Sequence, residues 1–513
     1  MTSKTPLRVA SFISVLASVF LAACAPGSEG TGGTTGSGGG GSGGASSGGA
    51  TSTGSGGATS TGSGGATSAG GASTGGANTG GTSSGGTSSG GRGSGGQLGT
   101  GGSASGGGMG TGGRASGGAG TGGAGNGGSV GTGGAAGGPV VGVSSPENAG
   151  AACAVTAGAL KKNTKLPDPF AMHDGTRITT KAQWECRRNE VKKDLEKYEI
   201  GPKQDRPTVA ATLSGSTLSV KITTTAGTMT LTSAVSGSGS CVAIGMNGAS
   251  SLISGCTQIP FMHDQVVISY QNSTQNKTDP FYKVYPDLFG KIGNYSAWSW
   301  GISRLIDGIE QVKDQLKVDV TKIGVQGCSY AGKMALFAGA LDERVALTIA
   351  EESGGGGITS WRTSQDFNTR TGTSVEKIDN TNFGWFMASM KTLDPYSLPH
   401  DHHELIAMIA PRAVVAMGNA DYDWLGDESG YKSIMAAAEV FKAWGIADHI
   451  GYDFTSGHGH CAPPAVQVAS AKTFVDRFLK GTSTTSNVTI KPTSTKFNLD
   501  YASVIDWTTP TLQ

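Results

Sequence analysis

Residues 322–333 read KIGVQGCSYAGK. The short apolar run up to Gln326 predicts a buried strand, and the residues from Tyr330 onward predict a helix. Ser329 falls on the turn between them, flanked by Gly327 and Gly332. Such a turn lifts a hydroxyl to the carboxyl end of a sheet. It also sets that hydroxyl beside the unpaired N–H groups and positive dipole of a helix start, where a developing oxyanion is stabilised. In the usual G-x-S-x-G elbow the second glycine follows the serine by two residues. Here it follows by three. Two readings of Ser329 therefore stand: a catalytic nucleophile, or the N-cap of a helix.

Working outward, 208–213, 218–223 and 229–235 are short β-type runs broken by Gly and Ser, which predict an antiparallel meander. CVAIGMNG from Cys241 reads as a buried strand entering a glycine loop, and DQVVISY at 264–270 as another strand. Between Ser296 and Gln315, Trp298, Ile302, Leu305, Ile306, Ile309 and Val312 form one face of a helix. After the serine turn come a helix to about Leu341 and a strand at 346–350. They are followed by a strand at 413–417, a helix at about 432–444, a strand at 450–455 and a helix at 465–479. Strands alternating with helices imply a mostly parallel sheet covered on both faces. With an antiparallel N-terminal meander in front, this is the α/β-hydrolase pattern, a three-layer αβα sandwich.

The remaining sequence differs in kind. The chain has 513 residues, of which 88 are Gly, most of them before residue 142. Lys4 and Arg8 followed by an apolar run to Ala23 predict a secretory signal, too short for a membrane span. LAAC at 21–24 resembles a bacterial lipoprotein box with Cys24 as the acylated residue; a plain cleaved signal is the alternative. Residues 25–143 are almost entirely Gly, Ser, Thr and Ala. They lack the apolar side chains that offset ordering entropy, and read as a disordered tether spanning roughly 60 Å. The expected domains are thus 1–24 signal, 25–143 linker and 144–513 one catalytic α/β domain. A net charge of +1 gives no reason to expect a nucleic-acid partner. With Cys24 lipidated, six cysteines remain, an even number that suggests three disulfides in an exported domain. No cysteine spacing suggests zinc; HDHH at 400–403 is the one candidate metal motif, and no metal or cofactor is expected.

A nucleophilic serine needs a histidine base, and the base an orienting acid. His458 and His460, in SGHGHCAPP, follow the last strand and precede the last helix. Cys461 follows His460 as Cys328 precedes Ser329, so a Cys328–Cys461 disulfide would clamp the serine turn to the histidine loop. Two acids compete for the third role: Glu352 after strand 346–350, with Glu351 a weaker neighbour, and Asp421 after strand 413–417.

GCSYAGK, LTIAEESGGGG, DHHELIAMIAPR, DWLG and GHGHC, in this order, resemble the glucuronoyl esterases. So do LPDPF and TTKAQWECRR near the start, AWSWGISRLIDGIEQV in the middle and IDWTTPTL at the end. The resemblance spans about residues 166–512. It implies an α/β-hydrolase that cleaves esters between 4-O-methyl-glucuronic acid branches of xylan and lignin alcohols. It places the family's nucleophile on Ser329, its histidine on His460 and the acid of its fungal members on Glu352; some bacterial members use a later acid, for which Asp421 stands. It also places the sugar-contacting lysine on Lys333 and tryptophan on Trp424, and a glutamine and glutamate that contact the uronic acid near Glu376 and on Asn382. The family's usual arginine is Tyr330 here, so oxyanion stabilisation is expected from the Tyr330 backbone N–H and other donors. A family cysteine is Ser360, Cys153–Cys186 resembles a family disulfide, and Cys241–Cys256 looks private to this chain.

The expected protein is a monomeric serine esterase acting on plant cell-wall polysaccharide at the cell envelope or outside it. It would touch a membrane only through a lipid on Cys24. The alternatives are a broader carbohydrate esterase, such as an acetyl-xylan esterase, and an inactive surface carbohydrate-binding protein.

Overall fold

The computed structural model describes residues 146–268 and 275–513. The expected signal, Cys24, the linker, and Ser269 and Tyr270 lie outside the described residues. Helix α1 (Lys181–Tyr198) opens on a capping box: Thr180 accepts from the Gln183 N–H, and the Gln183 side chain returns the bond to Thr180. Strands β1 (Thr208–Ser214), β2 (Thr217–Thr223) and β3 (Thr228–Ala234) form the antiparallel meander as a sheet of their own. Alternate residues of β2 and β3 are buried, the period of a sheet with one wet face.

The main sheet begins with β4 (Val242–Gly245) and β5 (Thr257–Gln258). It continues through β6 (Ile323–Cys328), β7 (Val345–Glu351), β8 (Ala413–Met417), β9 (Ile450–Asp453) and β10 (Thr489–Ile490). Its order is β5-β4-β6-β7-β8-β9-β10, and every pairing is parallel. An antiparallel bridge between Ser236 and Gln258 links it to the meander.

The helices after α1 are α2 (Pro280–Val284), α3 (Asn294–Leu316), α4 (Tyr330–Leu341), α5 (Trp361–Thr371), α6 (His402–Ala407), α7 (Asp427–Ala443) and α8 (Ala465–Phe474). Residues of β8 alternate between two cores. Val414 and Ala416 face the core of α3, α4 and α7, while Ala413, Val415 and Met417 face Ala471, Phe474 and Leu479 on the other side. That is the three-layer sandwich, and it puts the loops after β6, β7, β8 and β9 at one carboxyl edge.

Three expectations about elements are corrected. Residues 264–268 form no strand: a 3-10 turn covers His263–Gln265, Val266 and Val267 are buried, and Trp298 Nε1 donates to the Val267 carbonyl. The apolar run is a plug against α3, a use that periodicity cannot tell from a strand. Helix α7 starts at Asp427 rather than near 432, because Gly426, at φ 67°, ends the preceding turn and the Glu428 carboxylate favours the helix's positive end. The last helix gives way after Phe474 to a π turn at Val475–Leu479.

The HDHH stretch is occupied by structural bonds. His402 places Nε2 2.6 Å from Glu199 and Nδ1 2.6 Å from the Gly357 carbonyl. His400 Nε2 is 2.9 Å from the other Glu199 oxygen, and His403 Nε2 is 2.8 Å from the Pro167 carbonyl. Both neighbours of His402 are acceptors only, so its ring carries two hydrogens. Burial opposes that charge, yet the Glu199 carboxylate raises the His402 pKa. Burial likewise opposes ionisation of Glu199, but the two histidines hold its carboxyl at about 2. This buried pair fastens the end of α1 to the loop after β7.

Candidate active site

The serine turn explains its own spacing. A Cβ on Gly327 would lie 2.2 Å from the Ala331 carbonyl oxygen, and one on Gly332 would lie 2.5 Å from that of Glu351. Both glycines are therefore needed for α4 to start directly above β6 and β7. Ser329 sits at φ 59°, ψ −127°, and its side chain makes no capping bond. Its N–H donates to the Glu351 carbonyl at 3.0 Å. Of the five non-glycine residues with positive φ among those described, Ser329, Glu352 and Cys461 belong to this site, and Asn247 touches Tyr330. Each such conformation costs about 1–3 kcal/mol, and the surrounding packing must hold it.

Glu352 follows β7. Its N–H donates to the Met417 carbonyl at 2.7 Å, and its carboxylate is buried. One oxygen lies 2.6 Å from His460 Nδ1; the other accepts the Cys461 N–H at 3.1 Å. A disulfide joins Cys328 to Cys461, with Cα atoms 5.7 Å apart, so the residue before Ser329 is bonded to the residue after His460. Cys153–Cys186 and Cys241–Cys256 are also disulfides. Asp421 is placed elsewhere: its Oδ2 accepts the Gly457 N–H at 2.6 Å, tying the loop after β8 to the histidine loop.

The sequence does not single out Asp427, and it offers His458 and Glu351 only as neighbours of His460 and Glu352. His458 Nδ1 lies 3.7 Å from Glu352, and the His458 carbonyl accepts from Asn419 at 2.9 Å. Glu351 and Asp427 are buried carboxyls near Glu352. Burial first, and the Glu352 charge second, push Glu351 up to about 7 and Asp427 up to about 8. Glu351 Oε1 and Asp427 Oδ2 have no hydrogen-bond partner, whereas Glu352 has partners for both oxygens. Of three carboxyls converging here, the hydrogen bonds select Glu352 to carry the charge.

This has a measurable consequence for stability. The Asp427 carboxyl is protonated in the fold up to about pH 8 but ionises near pH 3.8 once unfolded. Between those limits the folded state holds the extra proton, so this group's contribution to stability falls as pH rises. Asp427→Asn removes that slope. Urea midpoints at pH 4, 6 and 8 should show the variant gaining on wild type by on the order of 1 kcal/mol per pH unit. A gap that does not widen with pH would contradict the assignment.

Beside the serine turn lies a polar and aromatic cluster. Lys333 Nζ, buried one helical turn past Ser329, donates to Glu376 Oε2 at 2.5 Å and lies 4.8 Å from the centre of the Trp385 ring. Glu376 Oε1 accepts from Thr381 at 2.6 Å. Asn382 shapes the same loop, its carbonyl accepting the Trp385 N–H at 3.0 Å and its Oδ1 the Gly384 N–H at 2.8 Å. Trp424 stands edge-to-face with His460 at 4.8 Å, and the Tyr422 hydroxyl accepts the His460 N–H at 3.1 Å. Tyr330, the first residue of α4, stacks on Trp385 at 6.1 Å.

The fungal glucuronyl esterase family model matches residues 209–445. Over 380 residues the chain is 36% identical to the 4-O-methyl-glucuronoyl methylesterase of Hypocrea jecorina (strain QM6a), covering 71% of this chain and 80% of that one. The chain belongs to the glucuronoyl esterase family. Among solved members, the Hypocrea jecorina glucuronoyl esterase catalytic domain is 35% identical with a TM-score of 0.64, covering 69% of this chain and 98% of that one. A glucuronoyl esterase variant with serine replaced by alanine, from Sporotrichum thermophile, was solved with methyl 4-O-methyl-β-D-glucopyranuronate. It is 32% identical with a TM-score of 0.64, covering 70% and 100%.

In this family member the Cys328–Cys461 bond spans 133 residues of sequence and fixes the relation of two loops. Replacing both cysteines by serine should therefore lower kcat at least about tenfold, beyond the few kcal/mol of stability that such a cross-link contributes. Kinetics at a temperature where circular dichroism shows the variant fully folded will check this; unchanged kcat would show that the loops hold their register unaided.

Proposed function

We propose that this chain is a serine esterase that hydrolyses esters of 4-O-methyl-glucuronic acid, as found between glucuronoxylan and lignin alcohols. Ser329 is its nucleophile, His460 its base and Glu352 its orienting acid. The observation that carries this is the 2.6 Å contact of His460 Nδ1 with Glu352, on a loop disulfide-bonded to the serine turn. Nδ1–H donates to the carboxylate, which leaves the Nε2 lone pair to take the Ser329 proton. Oγ then bonds to the ester carbon, and the carbonyl electron pair moves onto oxygen. The positive end of α4, with the Tyr330 N–H, faces that oxyanion. Collapse expels the alcohol oxygen, which takes the proton from Nε2. Water then repeats the sequence and releases the uronic acid.

Lys333 and Glu376 supply charge and hydrogen bonds for the uronic acid hydroxyls, Asn382 holds the loop that carries Trp385, and Trp424 offers a ring face to the sugar. The resemblance of fungal members to this chain and its three disulfides support an extracellular site of action. Residues 1–24 as a signal with Cys24 lipidated, 25–143 as a tether and 144–513 as the catalytic domain complete the reading. Purified protein should hydrolyse benzyl glucuronate and leave acetylated xylan nearly untouched. Preference for acetylated xylan would make it an acetyl esterase, and no turnover of either would leave a binding protein.

A further inference from the structure

We infer that His263 and Asp264 are positioning residues, which act through the Tyr330 hydroxyl to hold the wall of the substrate pocket. The inference rests on the reading of the Lys333 side of the site as the uronic acid pocket. None of the motifs that define the serine, histidine and acid includes these two residues.

His263 is buried on the turn after β5, and its two nitrogens face different partners. Nδ1 lies 2.6 Å from the Asp264 carboxylate, and Nε2 lies 3.1 Å from the Tyr330 hydroxyl. The Asp264 contact is close without being aligned as a hydrogen bond, and places negative charge beside the ring. Burial, the largest influence, lowers the His263 pKa against the pull of Asp264. Nε2 and the Tyr330 hydroxyl share one hydrogen bond. The phenol oxygen in turn accepts from Asn247 Nδ2 at 3.2 Å. The phenol is thus held from two sides.

What the phenol fixes is the ring behind it. Tyr330 lies within 21° of parallel to Trp385, and Trp385 carries the Lys333 ammonium 4.8 Å from its ring centre. Lys333 pairs with Glu376. The Tyr330 backbone is held separately, its carbonyl accepting from the Tyr295 hydroxyl at 3.2 Å. Contact therefore runs from Asp264 through His263, Tyr330 and Trp385 to Lys333, along the start of α4 beside the nucleophile. Ser329 and His460 are fastened independently by the disulfide. Loss of the His263 bond should loosen the binding of the acyl half of the ester more than it slows the chemistry.

The test is a double-mutant cycle on benzyl glucuronate with His263→Ala, Tyr330→Phe (which keeps the backbone N–H) and the pair. One hydrogen bond predicts that each single variant raises KM about tenfold, that KM rises much more than kcat falls, and that the pair is no worse than either alone. Asp264→Asn, at a largely exposed side chain, should shift KM the same way by a smaller factor and covers the case in which His263→Ala does not fold. Hydrolysis of p-nitrophenyl acetate, whose acyl group is too small to reach Lys333, should keep its wild-type KM in His263→Ala and Asp264→Asn. Additive effects, an unchanged KM on the glucuronate, or an equal KM rise on the acetate would overturn the inference. Wild-type protein that turns over the acetate but not the glucuronate would instead overturn the reading of the pocket on which it rests.

Discussion

Ser329→Ala is expected to lower kcat on benzyl glucuronate about 10³-fold or more while leaving the unfolding midpoint close to that of wild type. The size follows from what the hydroxyl does and does not do in the fold. It makes no capping bond, so its removal costs α4 nothing, and alanine fits the φ 59° turn no worse than serine. The hydroxyl is nonetheless aimed from the carboxyl edge of β6 by two glycines that no larger residue can replace. A loss of activity accompanied by an equal loss of folded protein would return Ser329 to a structural role. Turnover near the wild-type rate would remove it from the reaction.

Glu352→Gln should lower kcat by about 10³–10⁴-fold, because a carboxamide can turn its NH2 toward Nδ1 and so impose the wrong imidazole tautomer. The buried amide also cannot offset the imidazolium charge that forms when Ser329 gives up its proton. Asp421→Asn should change kcat by less than about threefold, since an asparagine oxygen can still accept the Gly457 N–H that Asp421 holds at 2.6 Å. Steady-state kinetics of the two variants decide between the acids. A large loss in Asp421→Asn with a small one in Glu352→Gln would move the role to the later loop. Glu351 is not a third candidate in wild type, because its Oε2 accepts from Gln326 at 3.1 Å while Glu352 occupies His460 Nδ1.

What was legible in the sequence followed from local rules. Helix α4 spans Tyr330–Leu341 as read, because a strand and a glycine turn mark its start. The meander was legible from its short β-type runs broken by Gly and Ser, and Cys328–Cys461 from the placing of each cysteine beside a candidate group. What was missed depends on the tertiary fold. Gly426 and Gly430 make the start of α7 look like loop, although Gly430 is a close packing position against Ile358. Asp427 was therefore never considered as a neighbour of Glu352. The residues 264–268 carry strand-forming side chains but are used to cover α3. His458 was noted only as a neighbour of His460; its approach to the Glu352 carboxylate depends on Asn419, which arrives from a different loop.

A nucleophilic Ser329 carries the acyl group on Oγ as a covalent acyl-enzyme. Titration of the intact protein with a fluorophosphonate, with mass mapping of the disulfide-linked peptide that contains Ser329, tests this most directly. One equivalent of label is expected on Ser329, with loss of benzyl glucuronate hydrolysis in step with labelling and slower labelling when methyl glucuronate is present. Hydrolysis that survives complete labelling of Ser329, or label that collects on another residue as activity disappears, would contradict it.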